Sequence, residues 1–294
     1  MKNQVKRDLF AEVTDRIIAA LEAGEIPWQK PWIGVTGCPI SHATGKPYSL
    51  LNQILLGEPG EYITFHACKK EGGHVKKGSK AKMVVFWKMI QVKDVDADGN
   101  LKLDADGNVK LKSVPVLKYD QVFHIKDCQG IEPRKPEPEL TEIEPIEAAE
   151  ATLTDYVARS GVTLIHQKQN RAFYRPSTDM IFLPLREQFR QPTEYYATAF
   201  HEATHSTGHP TRLNRLTTTG SAAAFGGEEY SKEELVAEIG AASILNRLEI
   251  ETSSTFQNTT AYIQGWLKAL RNDKKLIVSA AGKAEKAVAM IFGD

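Results

Sequence analysis

An α+β fold in two units is what this sequence predicts, on three observations. Apolar residues recur at helical spacing near the start, over residues 5–23, and again through the last third of the chain. Short β-branched and aromatic runs at 83–92, 114–119, 121–125, 162–166, 172–174 and 180–184 read as strands. A Pro/Glu-rich stretch over 131–146 has the composition of a linker. The expected units are therefore a small unit over 1–130 and a second over 147–294, in line with a length prior of about two domains.

Charge follows the same division. Lys plus Arg equals Asp plus Glu at 37 each, so the total says nothing about partners. Residues 1–90 hold 13 Lys/Arg against 8 Asp/Glu, a net +5, whereas residues 147–294 hold 16 against 17. Hydrophobic content of 41% with 25% charged residues is ordinary globular composition. Cys38, Cys68 and Cys128 are odd in number and lack C-x-x-C spacing, which suits free thiols in a reducing cytoplasm. The N-terminus lacks the apolar centre of a secretory signal, and no run of about 18 apolar residues occurs, so a cytoplasmic protein with no membrane span is expected.

In the first unit, Leu9, Val13, Ile17 and Leu21 fall at steps of four, joined by Phe10 and Ile18, and Gly24 closes the helix. Prolines in Ile26-Pro27-Trp28-Gln29-Lys30-Pro31-Trp32 forbid a helix there, so Trp28 and Trp32 project from an extended loop. Two roles are open to these indoles: the lid of a small core, or platforms on which bases stack. Lys69, Lys70, Lys76, Lys77, Lys80 and Lys82 then put six lysines in fourteen residues, broken by Gly72-Gly73 and Gly78. Tyr62 and Phe65 precede them, and Phe86 and Trp87 follow. A single-stranded nucleic-acid groove needs this combination, with ammonium groups tracking phosphates and rings stacking on bases; a solvated turn is the plainer alternative. The strand over 83–92 has 114–119 and 121–125 as its expected partner. Between them lie the repeats Asp96-Ala97-Asp98-Gly99-Asn100 and Asp104-Ala105-Asp106-Gly107-Asn108. Asp94, Asp96, Asp98 and Gly99 match the start of a calcium loop, but Ala105 stands where a bidentate Glu is required. Exposed D-G hairpin turns are the expectation.

The second unit opens with a helix over 147–160 and the three short strands. A helix over 192–207 follows, carrying His201-Glu202-Ala203-Thr204-His205. Two histidines four apart share one helix face and can grip one metal ion, with Glu202 beside them to take a proton from water. Gly208 and Pro210 end that helix. After a polar loop at 208–227, a helix from Ser231 to Leu248 opens on a Ser231-Lys232-Glu233-Glu234 capping box. Two more helices complete the chain, one with Tyr262, Trp266, Leu267 and Leu270 on a single face, the other alanine-rich from Ile277 to Phe292.

Catalytic zinc needs a third protein ligand. A third histidine three residues beyond Gly208 would fall at Thr211, so that pattern fails, and His209 lies past the helix end. The remaining source is the helix after the loop, where Glu234 and Glu238 are one turn apart. Glu238 sits among apolar and small residues, where a carboxylate is costly to bury without a cation, and it is the expected ligand, with Glu234 in reserve. The expected site is thus His201, His205 and Glu238 around Zn2+, or another divalent metal, with Glu202 as general base.

Further motifs extend over nearly the whole chain: Ile26-Pro27-Trp28 with Pro31-Trp32, Gly45-Lys46 with Tyr48 and Asn52, Gly73-His74-Val75-Lys76-Lys77-Gly78, and Asn170-Arg171-Ala172-Phe173-Tyr174. With the metal motif, Gly208-His209-Pro210, Arg212-Leu213, Glu233 to Ala242, and Tyr262-Ile263 with Trp266-Leu267, they make this sequence resemble the ArdC-type antirestriction proteins of plasmids and phages. The resemblance implies an N-terminal single-stranded DNA-binding domain, a C-terminal zincin-like metallopeptidase domain, and protection of mobile DNA from host restriction. The D-G insertion and the linker lie outside it. Bulkier residues are expected at 203 or 204 and an aromatic at 206, where this chain has Ala203, Thr204 and Ser206. Two functional readings follow: a DNA-tethered zinc peptidase acting on an unknown protein substrate, or a DNA-coating protein whose zincin fold is an idle scaffold. A two-metal nuclease fits less well, because such sites gather several carboxylates around two ions.

Overall fold

A computed structural model describes residues 7–23, 25–28, 38–104, 107–134, 145–189, 191–216, 228–250 and 259–294. Trp32, most of the expected linker and most of the 208–227 loop lie outside these residues.

Helix α1 spans Leu9–Glu22, and Asp8 caps it by accepting from the Phe10 and Ala11 amides. Strand β1 (Ile40–Ser41), helix α2 (Leu50–Leu56), strand β2 (Glu61–Thr64), helix α3 (Phe65–Lys70) and strand β3 (His74–Val75) follow. Strands β4 (Lys82–Lys93) and β5 (Leu111–His124) form a long antiparallel hairpin, and β6 (Cys128–Gln129) pairs with β3. The main sheet has the order β1-β2-β5-β4.

The two expected strands at 114–119 and 121–125 are one strand, running straight through Pro115 opposite Met89. Proline is tolerated because β2 reaches only residues 122–124 of β5, so at Pro115 the ribbon is two-stranded and one edge needs no donor. From Phe86 toward the tip most side chains of β4 lie open to solvent, and Trp87 and Met89 are more than half exposed. Its tip folds into two small turns, with Gly99 and Gly107 at φ of +85° and +83° and the Asp96 and Asp104 side chains accepting from the Asn100 and Asn108 amides. These are D-G turns of the kind the repeat implies.

In the second half, α4 (Pro145–Ser160) leads into β7 (Thr163–Gln167), β8 (Phe173–Arg175) and β9 (Met180–Pro184), which form a sheet of order β7-β9-β8. Helix α5 (Pro192–Ser206) packs on β8 and β9, and α6 (Glu228–Arg247) packs on α5. Helices α7 (Thr259–Asn272) and α8 (Leu276–Phe292) close the fold. Helix α6 begins at Glu228, three residues before the expected capping box, so Ser231 lies inside it.

One apolar cluster runs through both halves. Val13, Ile17 and Leu21 of α1 share it with Trp266 and Leu270 of α7 and Ile277 and Ala281 of α8. The Thr14 hydroxyl donates to the Lys274 carbonyl at 2.7 Å, tying the first helix to the turn between the last two. Each fully buried Val, Leu or Ile in this seam contributes about 1.5–3 kcal/mol. No described helix is long and apolar enough to cross a membrane.

Candidate metal centre

Helix α5 starts with Pro192, whose missing N–H leaves nothing unsatisfied in a first turn. One turn separates His201 from His205, and their Nε2 atoms stand 3.2 Å apart. Glu234 of α6 reaches both rings, with Oε2 3.5 Å from His201 Nε2 and Oε1 3.4 Å from His205 Nε2. Ligand atoms held by a tetrahedral ion at catalytic distances stand roughly 3.3 Å from one another. The measured separations, one to each carboxylate oxygen of Glu234, are of that size, and these residues form a metal-capable cluster among the described residues.

Glu238, the ligand expected from sequence, lies outside that cluster, and Glu234, held in reserve, lies within it. Glu238 Oε1 lies 3.5 Å from His201 Nδ1, the ring nitrogen on the other side from the Nε2 pair. One turn along α6 is about 5–6 Å, and only Glu234 lies level with the gap between the rings. Glu233 stands at the Nδ1 of His205, 3.6 Å away. Glu238 and Glu233 thus stand at the Nδ1 side of each ring, away from the gap where the two Nε2 atoms meet.

Charge balance also fits a cation. Burial alone would lower both imidazoles, yet Glu234 holds His201 above its ordinary value, and Glu233 and Glu234 hold His205 well above it. Burial would raise Glu234, but the two histidines keep it far below the usual carboxylate range. Burial pushes Glu202 up, opposed by His201, His205 and the Tyr174 backbone N–H. Glu202, Glu234 and Glu238 thus face the two imidazoles while Glu233 is shared with Arg215, a donor set that suits a divalent ion.

Close approach of α5 and α6 makes this geometry possible. A Cβ on Gly240 would come within 2.6 Å of Thr204 Cγ2. The bulk expected at 203 or 204 is absent because Ala203 and Thr204 are fully buried, with Thr204 at this crossing. Gly208 acts in a similar way: its φ is not positive, and a Cβ there would meet Leu216 Cγ at 2.9 Å. Arg215 binds the Thr204 carbonyl at 2.9 Å and Glu233 at 2.9 Å. Arg212 binds the Ser206 and Ser160 carbonyls and Asp179, and Tyr174 donates to the same aspartate. His209 bonds to Thr211 and stays out of the cluster. Sequence reading missed Glu233, Arg215 and the position of Tyr174; the signal it passed over was a third acid beside the Glu234 and Glu238 pair.

The nucleic-acid residues named from sequence are dispersed differently. Trp28 is 2% exposed and packs edge-on against Trp266 at 5.2 Å, so it is a core residue and no base platform. Lys82 is half-buried, with Nζ donating to the Leu56 carbonyl and to Glu58, whose carboxyl Lys82 and Lys126 hold down at about 2 against the opposing effect of burial. The Lys76 ammonium donates to the Lys126 carbonyl. Lys69, Lys70, Lys77 and Lys80 are exposed and make no ion pair among the described residues. Nearby rings open to solvent are Phe65, Phe86 and Trp87, whereas Tyr62 is buried. Cys38, Cys68 and Cys128 are free thiols.

Residues 7–123 match the family described as the N-terminal domain of anti-restriction factor ArdC, and residues 151–283 match the family of zincin-like metallopeptidases. A DNA primase TraC of Escherichia coli is 38% identical over 296 residues, covering 96% of this chain and 27% of that protein. The chain thus spans about a quarter of that relative. Protein y4eC of Sinorhizobium fredii is 32% identical, with 96% of this chain and 91% of that protein covered. The metal-free crystal structure of antirestriction ArdC from plasmid R388 superposes with a TM-score of 0.75 at 33% identity, over 97% of each chain. Its Mn(II)-bound form gives 0.73 at 31% identity, again over 97% of each chain.

Proposed function

This chain belongs to the ArdC antirestriction family, and from that premise we propose that it is a single-stranded DNA-binding antirestriction protein with a metal-dependent peptidase site, acting in the cytoplasm. The observation that carries the hydrolytic part is the convergence of His201 Nε2, His205 Nε2 and Glu234 at 3.2–3.5 Å. In this reading His201, His205 and Glu234 hold one divalent cation, zinc by preference. A cation so held supplies Lewis acidity to a bound peptide carbonyl. Glu202, buried one residue after His201, takes the proton from the attacking water and returns it to the departing amine. Glu233 and Glu238 keep the imidazoles oriented through Nδ1.

Single-stranded DNA binding belongs to the first half. Lys69, Lys70, Lys77 and Lys80 meet phosphates, while Phe86 and Trp87 on the ribbon stack on bases. Kinship with a protein named DNA primase, of which this chain spans about a quarter, supports an assignment to DNA.

The test measures bound metal, peptide hydrolysis and protection of incoming DNA from restriction, on wild type and Glu202→Gln. Bound metal with hydrolysis and protection both lost in the variant is the expected result. Full hydrolysis by the variant would remove Glu202 from the chemistry. Undiminished protection without hydrolysis would leave the antirestriction role to the DNA-binding half, with the metal unit as a scaffold.

A further inference from the structure

Arginines among the described residues of this second half face carboxylates, with two exceptions. Arg186 takes Glu150, Arg212 takes Asp179 and Arg215 takes Glu233. Arg171 and Arg175 are exposed and make no ion pair. Arg175 ends β8, a terminal strand of its sheet among the described residues, and Arg171 stands two residues before that strand begins.

Their placement follows from register. Tyr174 lies opposite Ile181, which is fully buried, so Tyr174 shares the inward face of the sheet. Phe173 and Arg175 therefore lie on the outward face. Phe173 stacks on Phe182 at 4.8 Å, and the guanidiniums of Arg171 and Arg175 sit 5.1 and 5.4 Å from the Phe173 ring centre. Rings and cations thus form a fixed platform, with the positive charge left uncompensated. The same strand packs against α5, the helix that carries His201, Glu202 and His205.

An extended peptide that adds to a strand edge makes main-chain hydrogen bonds, and its alternate side chains project to one face about 7 Å apart. We propose that β8, with the two residues before it, receives an acidic stretch of polypeptide in this way, with carboxylates four residues apart meeting Arg171 and Arg175. This rests on the peptidase reading above and names the class of its substrate. Single-stranded DNA suits the site less well. The Phe173 ring is already stacked on Phe182 and covered by guanidiniums, leaving no open aromatic face for a base.

Fluorescence anisotropy on the full, metal-loaded chain tests the idea with labelled peptides of alternating Glu-Thr and alternating Gln-Thr. At low salt the Glu peptide is expected to bind about tenfold tighter, two exposed pairs each giving somewhat under 1 kcal/mol. The preference is expected to vanish in Arg171→Gln/Arg175→Gln and to pass to a Lys-Thr peptide in Arg171→Glu/Arg175→Glu, a reversal that misfolding cannot imitate. Equal affinity for both peptides in wild type, or a preference that survives Arg171→Gln/Arg175→Gln, would overturn the proposal. So would arginine-dependent binding seen only with an oligothymidylate. Charge-selective, arginine-dependent binding without cleavage by the zinc- or manganese-loaded chain would refute the peptidase reading and leave the docking edge standing. Cleavage without charge preference would do the opposite.

Discussion

Glu234 and Glu238 differ by one helical turn, yet they meet opposite nitrogens of the same imidazole. Their replacements should therefore fail in different ways. Glu234→Ala removes a direct donor, and stoichiometric metal binding is expected to be lost in calorimetric titration. Glu238→Gln is expected to keep one metal per chain with affinity lowered about 10–100-fold, the usual cost of losing a ligand's orienting partner. Equal loss in both variants would return Glu238 to the ligand set. Sequence could name both acids because carboxylates one turn apart on a buried face are conspicuous. It could not choose between them, because the choice depends on how far α6 slides along α5. Trp28 carries a similar lesson: two indoles between prolines look alike on paper, and burial of Trp28 follows from Trp266, far along the chain.

Thr204 against Gly240 sets the separation of the two helices that form the candidate metal centre. Gly240→Ala places a methyl group where 2.6 Å is free, and overpacking of this kind costs about 1–3 kcal/mol. Melting temperature and metal affinity should both fall, since the helices part where Glu234 must reach across. Adding Thr204→Ala removes the obstructing Cγ2 and Oγ1, and a double-mutant cycle should show recovery of most of the loss. Additive losses would mean that the crossing tolerates more bulk than the geometry allows. Helix periods and the H-E-x-x-H spacing made α1 and α5 legible in advance, because each signal is local. The start of α6 was not: its capping box at Ser231 competes with three more residues that continue the helix to Glu228.

Shared packing of α1, α7 and α8 makes the molecule one cooperative body for purposes of stability. Calorimetry on the full chain is expected to give a single transition, and zinc or manganese should move all of it upward. Ligand at about a thousand times its dissociation constant adds roughly 4 kcal/mol. Two transitions, only one of them responsive to metal, would show that the seam does not couple the halves. Charge splitting and the Pro/Glu stretch indicated two units, and nothing local in residues 9–22 announces that their partners lie near the other end. Contacts between positions as distant as Thr14 and Lys274 leave no trace in a window of adjacent residues.

The Thr14–Lys274 tie has a consequence for how the protein comes into being. A ribosome adds about 5–20 residues per second, so the first helix waits on the order of ten seconds or more before the turn that anchors it has been made. During that interval its oily stripe has only temporary company, such as a chaperone. No nascent fragment short of Lys274 holds that anchor, so the two halves of the fold mature in one late event.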